Sequence, residues 1–186
     1  AVAPLVSFFS CNGMELIAAE RVDTHGGSLR GTAQLAGGSR EVASSVAACL
    51  ELEEYLGLGQ AETFHDFAER IDSLKISLRD LLSGLKAKGQ SIAGYGAPAK
   101  ATTLMYHFGL GPDIIDFIVD DSSLKQGLYS PGLHVPVLPS EAITEQGPDY
   151  LLILAWNFAQ PIMANNSAFH EAGGRFIIPV PELEVV

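Results

Sequence analysis

The chain has 186 residues, which suits one domain or one domain with an appendage. Hydrophobic residues make up 47% and charged residues 18%, enough for a sizeable core and against global disorder. Eleven Lys and Arg face twenty-two Asp and Glu, a formal net charge of -11, so the surface repels nucleic acid and anionic membranes, and any anion site must be built locally.

No segment reaches the roughly 18 apolar residues that span a bilayer. The opening Ala1–Phe9 is apolar but has no basic n-region and no initiator Met. It reads as part of a longer chain, not as a signal peptide. Asn12-Gly13 ends a short helix. Met14–Val22 alternates as a strand, Gly26-Gly27 turns, and Ser28–Leu35 is a second strand. Two strands bury little alone, so residues 1–36 want a partner sheet.

Residues 37–88 form a helical link. Val42, Val46, Leu50 and Leu52 predict one helix within 39–57, stopped by Gly57 and Gly59. Phe64, Phe67, Ile71, Leu74, Leu78, Leu81, Leu82 and Leu85 recur at three- and four-residue steps and predict a longer one over 61–88. Either helix could hold a homodimer contact, which the pattern does not decide.

From residue 89 strands alternate with helices. Ile92–Gly94 is a strand, Ala97–Phe108 a helix, Ile114–Val119 a strand ending in Asp120-Asp121, and Val135–Val137 a short strand. Pro139–Gln146 is a helix, Tyr150–Ala155 the most apolar strand, and Phe158–Ala172 a helix open to interruption at Asn165-Asn166. Arg175–Ile178 is a last strand, stopped by Pro179 and Pro181. The expected fold is α/β: a Rossmann-like three-layer domain over 89–186 with a mostly parallel sheet, preceded by a short β-hairpin and a helical linker.

The turn Gly94-Tyr95-Gly96-Ala97-Pro98-Ala99-Lys100 matches G-x-G-x-x-A between a strand and a helix. Gly94 is expected to permit a tight turn, Gly96 to let a ligand approach, and Ala99 to seat the helix against the strand. Pro98 gives up an N–H in the first helical turn. The remaining N–H groups, the helix dipole and Lys100 favour a phosphate or a similar anion. Packing alone could also require these glycines. Asp120 suggests a runner-up, a ribose contact in an NAD(P)-binding oxidoreductase module. A third reading is a non-catalytic binding or dimerisation domain.

Trp156-Asn157 follows the strongest strand at its carboxyl end, where open α/β sheets bind ligands. Trp156 offers a flat face and Asn157 a donor and an acceptor, although Asn157 could equally cap the next helix. His25-Gly-Gly-Ser-Leu-Arg30 gathers an imidazole, a hydroxyl and a guanidinium around two glycines. His65, His107, His134 and His170 have no evident partner. No nucleophile–base order and no acid–base carboxylate pair stands out, so no catalytic residue is assigned. Cys11 and Cys49 form no CxxC pair and lie near no His cluster, a pattern of two reduced thiols in a cytoplasmic protein with no metal site.

Asp23–Arg30, Gly94–Lys100, Asp120 with Lys125-Gln-Gly127, Pro131-Gly132, Pro136, Leu154–Asn157 and Gly173-Gly174 to Pro179 occur in this order in one known family. Over almost the whole chain the sequence resembles the S-adenosylmethionine-dependent sugar C-methyltransferases, which methylate a carbon of a nucleotide-linked keto-deoxysugar. The resemblance implies the last part of such an enzyme. The family's zinc-binding cysteines, its cofactor loop and the Tyr/Glu/His segment that supplies its base have no counterpart here. S-adenosylmethionine would then be held by a methyltransferase domain absent from this chain, and residues 1–36 would be the trailing end of that domain's sheet. The implied partners are a nucleotide-diphosphate sugar and the upstream zinc and methyltransferase domains. The implied substrate-side residues are Gly94, Tyr95, Gly96, Ala97, Lys100, Trp156, Asn157, His25 and Arg30. A fragment of this extent is expected to transfer no methyl group alone.

Overall fold

A computed structural model describes all 186 residues except for the side chain of His25, which lies outside the described set. Its internal contacts divide the chain into two compact units, Ala1–Arg70 and Ile71–Val186.

In the first unit, helix α1 (Ala3–Cys11) precedes strands β1 (Met14–Val22) and β2 (Ser28–Leu35), which pair antiparallel as the alternation predicts. A 3-10 turn at Thr24–Gly26 joins them. The register shifts between Leu16 and Ala18. At this irregularity the Ile17 carbonyl accepts the Ala43 N–H at 2.8 Å, and the Ser45 hydroxyl accepts the Ala19 N–H at 3.2 Å. Both bonds lead into helix α2 (Ser44–Tyr55), which therefore lies along β1. Val2, Leu16, Ala19 and Val46 form the small core. The Glu53 carboxylate on α2 accepts the N–H groups of Val2 and Ala3 that open α1.

Helix α3 (Ala61–Ala87) begins in this unit, and the division falls inside it. From Ile71 onward it belongs to the second unit, where Leu78, Leu82 and Leu85 are buried. There follow β3 (Ile92–Tyr95), α4 (Ala99–Phe108), β4 (Phe117–Val119), β5 (Val137–Leu138), α5 (Ala142–Gln146) and β6 (Tyr150–Ile153). The chain ends with α6 (Ala159–Asn165), α7 (Ser167–Glu171), β7 (Arg175–Ile178) and β8 (Glu184–Val185). The sheet order is β5-β4-β3-β6-β7-β8, with every pair parallel except β7–β8. The expected α/β fold with a mostly parallel sheet is thus present.

Side-chain alternation explains the three layers. Ile92, Ile118, Leu152, Leu154 and Ile177 face α3 and α4. Ala93, Phe117, Val119, Leu151, Ile153, Phe176 and Ile178 face the opposite way, onto Ile143 of α5 and Ile162 of α6. A strand buried on both faces needs an unbroken apolar run, which is why β6 is the most hydrophobic segment.

The boundaries can be compared with expectation. The Ile114 and Ile115 N–H groups bond back to Gly111, so only Phe117–Val119 is free to pair as a strand. The helix over 158–172 is interrupted where Asn165-Asn166 suggested: it is two helices that meet at Asn166, whose side-chain amide and N–H both donate to the Ile162 carbonyl. Past the prolines that end β7, the chain returns and Glu184–Val185 adds an antiparallel edge that the sequence did not announce.

Candidate functional site

Strand β3 lies between β4 and β6, so the chain leaves its carboxyl end towards one neighbour and returns to the other later. Open α/β sheets form a crevice at such a switch point. The two loops there are stitched together: the Tyr95 carbonyl accepts the N–H groups of Leu154 and Ala155 at 2.9 and 3.2 Å.

The glycines act differently from their expected roles. Gly94 does not make the turn; it is a buried strand residue. A Cβ on it would stand 2.8 Å from Leu154 Cδ1 and 3.1 Å from Ile118 Cγ1, so the glycine makes room for core side chains. The turn falls at Gly96, whose φ of +88° strains any L side chain, and a Cβ there would meet the Ala155 Cβ at 2.8 Å. Pro98 is the residue before α4 and not part of its first turn. Ala99 is exposed, and Ala101 is the small residue that packs inward.

The donors of the turn are largely committed. The Gly96 N–H donates to the Val119 carbonyl at 2.7 Å, and the Ala97 N–H to Asp120 Oδ2 at 2.7 Å. Asp120 also accepts from the Ser122 N–H at 2.9 Å and the Lys125 ammonium at 3.0 Å. Partial burial works to raise its carboxyl pKa, but the Ala97 and Ser122 N–H groups and Lys125 outweigh it and hold it below the ordinary range. Asp120 thus has a structural role that the ribose reading did not foresee: it ties the glycine turn to Ser122 and Lys125. What remains for an anion is the start of α4, where the Ala101 N–H already donates to the Pro98 carbonyl at 2.9 Å, together with the Lys100 side chain.

Lys100 and Trp156 meet. The Lys100 Nζ lies 4.4 Å from the centre of the Trp156 ring, a cation–π pair spanning the crevice from α4 to the 3-10 turn Trp156–Phe158. Desolvation lowers the Lys100 pKa. Asn157 lies exposed in the same turn, and Phe158, not Asn157, precedes α6.

Tyr95 is not in this crevice. Its side chain packs on the other face of the sheet, where its hydroxyl lies 3.3 and 3.4 Å from the Asp121 carboxylate oxygens. Ser140 donates to the same carboxylate at 2.6 Å. Burial, above all, raises the Tyr95 pKa. Arg30 pairs with Glu20 across the β1–β2 hairpin at 2.8 Å, both exposed. The His25 side chain lies outside the described residues.

The sequence reading missed the roles of Asp120, Asp121, Lys125 and Ser140. Asp120 reaches Ala97 across 23 residues and Asp121 reaches Tyr95 and Ser140 across 26 and 19, which no local spacing signals; the Asp120–Lys125 pair is local, five residues apart. Among the described residues, no group of His, Cys, Asp or Glu is arranged to hold a metal ion, and no helix is long and apolar enough to cross a membrane.

Residues 23–181 match the family model of the C-methyltransferase C-terminal domain. The chain belongs to that family. It is also 38% identical over 182 residues to the C-methyltransferase NovU of Streptomyces niveus. The alignment takes in 98% of this chain and 43% of NovU, so the chain spans less than half the length of that relative. In this C-methyltransferase C-terminal domain, the matched span holds every candidate residue from His25 to Asn157, and the glycine turn, Lys100 and Trp156 lie together at the switch point of its sheet.

Proposed function

We propose that this chain is the substrate-side portion of an S-adenosylmethionine-dependent C-methyltransferase acting on a nucleotide-linked keto-deoxysugar. The observation that carries the reading is the Lys100–Trp156 pair at the switch point, joined to family membership. Lys100 and the opening turn of α4 supply positive potential for a diphosphate. Trp156 supplies a flat apolar face beside it.

The residues present do not fit S-adenosylmethionine. A cofactor ribose needs a carboxylate open at the end of the second strand, and Asp120 at that place is already bonded to Ala97, Ser122 and Lys125. The same commitment disfavours NAD(P). On this reading the methyl donor and the base belong to the portion of the longer relatives that this chain does not span, and the chain alone transfers no methyl group.

Thermal-shift titration tests the assignment. A thymidine diphosphate sugar is expected to stabilise the chain, by about 2.7 kcal/mol at a hundredfold excess over Kd. NAD(H) is expected to leave the midpoint unmoved. Stabilisation by NAD(H) with silence towards the nucleotide sugar would reverse the ranking of the two readings.

A further inference from the structure

On the face of the sheet turned away from the crevice, Tyr95 does not match its neighbours. Its companions there, Phe117, Ile153 and Phe176 among them, are apolar, and Tyr95 itself is 7% exposed. A phenylalanine would fill the same space, so the hydroxyl needs its own explanation. That hydroxyl lies 3.3 and 3.4 Å from the Asp121 carboxylate oxygens and also meets the side chains of Ser140 and Asn166. Ser140 donates to Asp121 at 2.6 Å. Burial raises the Tyr95 pKa, so the phenol keeps its proton and donates to the carboxylate. These side chains come from β3, from the loops that leave β4 and β5, and from the junction of α6 and α7. One hydroxyl thus gathers the carboxyl ends of three neighbouring strands.

The backbone of the same residue holds the crevice. Tyr95 closes β3: its pairings with Val119 and Ile153 are the last in the two ladders. Past them the Tyr95 carbonyl accepts the Leu154 and Ala155 N–H groups, and Gly96 leaves room for the Ala155 methyl. Trp156 follows directly. Where a ladder stops, a side-chain anchor limits fraying.

We infer that Asp121 and Ser140, through the Tyr95 hydroxyl, position the Trp156 loop so that the indole meets Lys100. The inference rests on the nucleotide-sugar reading for what the Lys100–Trp156 pair receives, and adds how the pair is held. Tyr95, Asp121 and Ser140 are positioning residues here and touch no ligand.

Trp156 is the only tryptophan, so fluorescence of the 186-residue chain, excited beyond the tyrosine band, reads its surroundings alone. Lys100→Met removes the ammonium that lies 4.4 Å from the ring centre and is expected to change the emission. Tyr95→Phe keeps the ring, and Asp121→Asn alters an exposed side chain, so it carries the test alone where Tyr95→Phe does not fold. Each is expected to move the emission the same way as Lys100→Met and to make Trp156 more accessible to acrylamide. Added to Lys100→Met, neither is expected to move the emission further, because both act on one contact. Tyr95→Phe is also expected to weaken thymidine diphosphate about threefold to tenfold, the share of one hydrogen bond. Ser91→Ala is the control: it removes a hydroxyl bonded to Asp149 at 2.8 Å at the opposite end of β3, and is expected to leave Trp156 unmoved. Emission that changes in Lys100→Met but in neither Tyr95→Phe nor Asp121→Asn overturns the inference. An equal change in Ser91→Ala overturns it too, as general loosening. Emission unmoved by Lys100→Met leaves no contact to position and also overturns it. The expected emission pattern with no binding of thymidine diphosphate upholds the positioning and counts against the nucleotide-sugar reading.

Discussion

Two residues decide what the glycine turn can do. Lys100 lies over the Trp156 ring, and partial burial lowers its pKa, so its ammonium is held at the crevice where an arriving diphosphate would meet it. Charged hydrogen bonds contribute about 1.5–3 kcal/mol. Lys100→Met is therefore expected to weaken a nucleoside diphosphate sugar about tenfold to a hundredfold, measured by calorimetry, with the wild-type advantage shrinking as salt rises. Asp120 works the other way, filling the Ala97 N–H with the protein's own carboxylate. Its folded pKa is depressed, so its stabilisation is fully present above the ordinary Asp value of about 3.9 and is lost as pH falls through the lower folded value. Asp120→Asn is expected to lose about 1–3 kcal/mol at neutral pH. Denaturant titrations should show the gap between variant and wild type closing below about pH 4; a gap constant from pH 7 to pH 2 would mean that the charge is not what matters. That a G-x-G-x-x-A turn lay between a strand and a helix was legible in the sequence. That one of its N–H groups was already taken was not, because Asp120 arrives from another strand.

Helix α4 is held at both ends by groups outside it. At its start Asp120 takes the Ala97 N–H. At its finish Arg79 of α3 donates to the Phe108 and Gly109 carbonyls at 2.8 and 2.9 Å, satisfying acceptors that a helix leaves open. Arg79→Met keeps the aliphatic stem and removes both bonds. The expected loss is about 1–3 kcal/mol, with faster amide exchange concentrated in the last turn of α4. Uniform destabilisation with no local signature would argue against a capping role. The helix itself was readable from Leu104, Met105 and Phe108 at helical spacing and from Gly109, which adopts the left-handed conformation at its end. Strand β8 was not readable, since two residues carry no period and their pairing depends on β7.

The two units differ in how much each can bury. The second has six strands with helices on both faces, while the first has a two-stranded ribbon in which β2 is largely exposed. A lone pair of strands is marginal in water. Amide exchange is expected to be slowest in β3 and β6 and much faster in β2, as mass spectrometry of exchanged peptides would read; protection of β2 equal to that of β6 would contradict this. The sequence by itself determined the order of strands and helices, the mostly parallel α/β class and the family resemblance, because hydrophobic period and glycine punctuation are local. Only the tertiary structure decided that Gly94 clears space for Leu154, that Lys100 meets Trp156, that Tyr95 faces away from them, and that Asp120 closes the turn. Those outcomes follow from which strands lie side by side at β3, and adjacency in a sheet is not encoded in the spacing of residues along the chain.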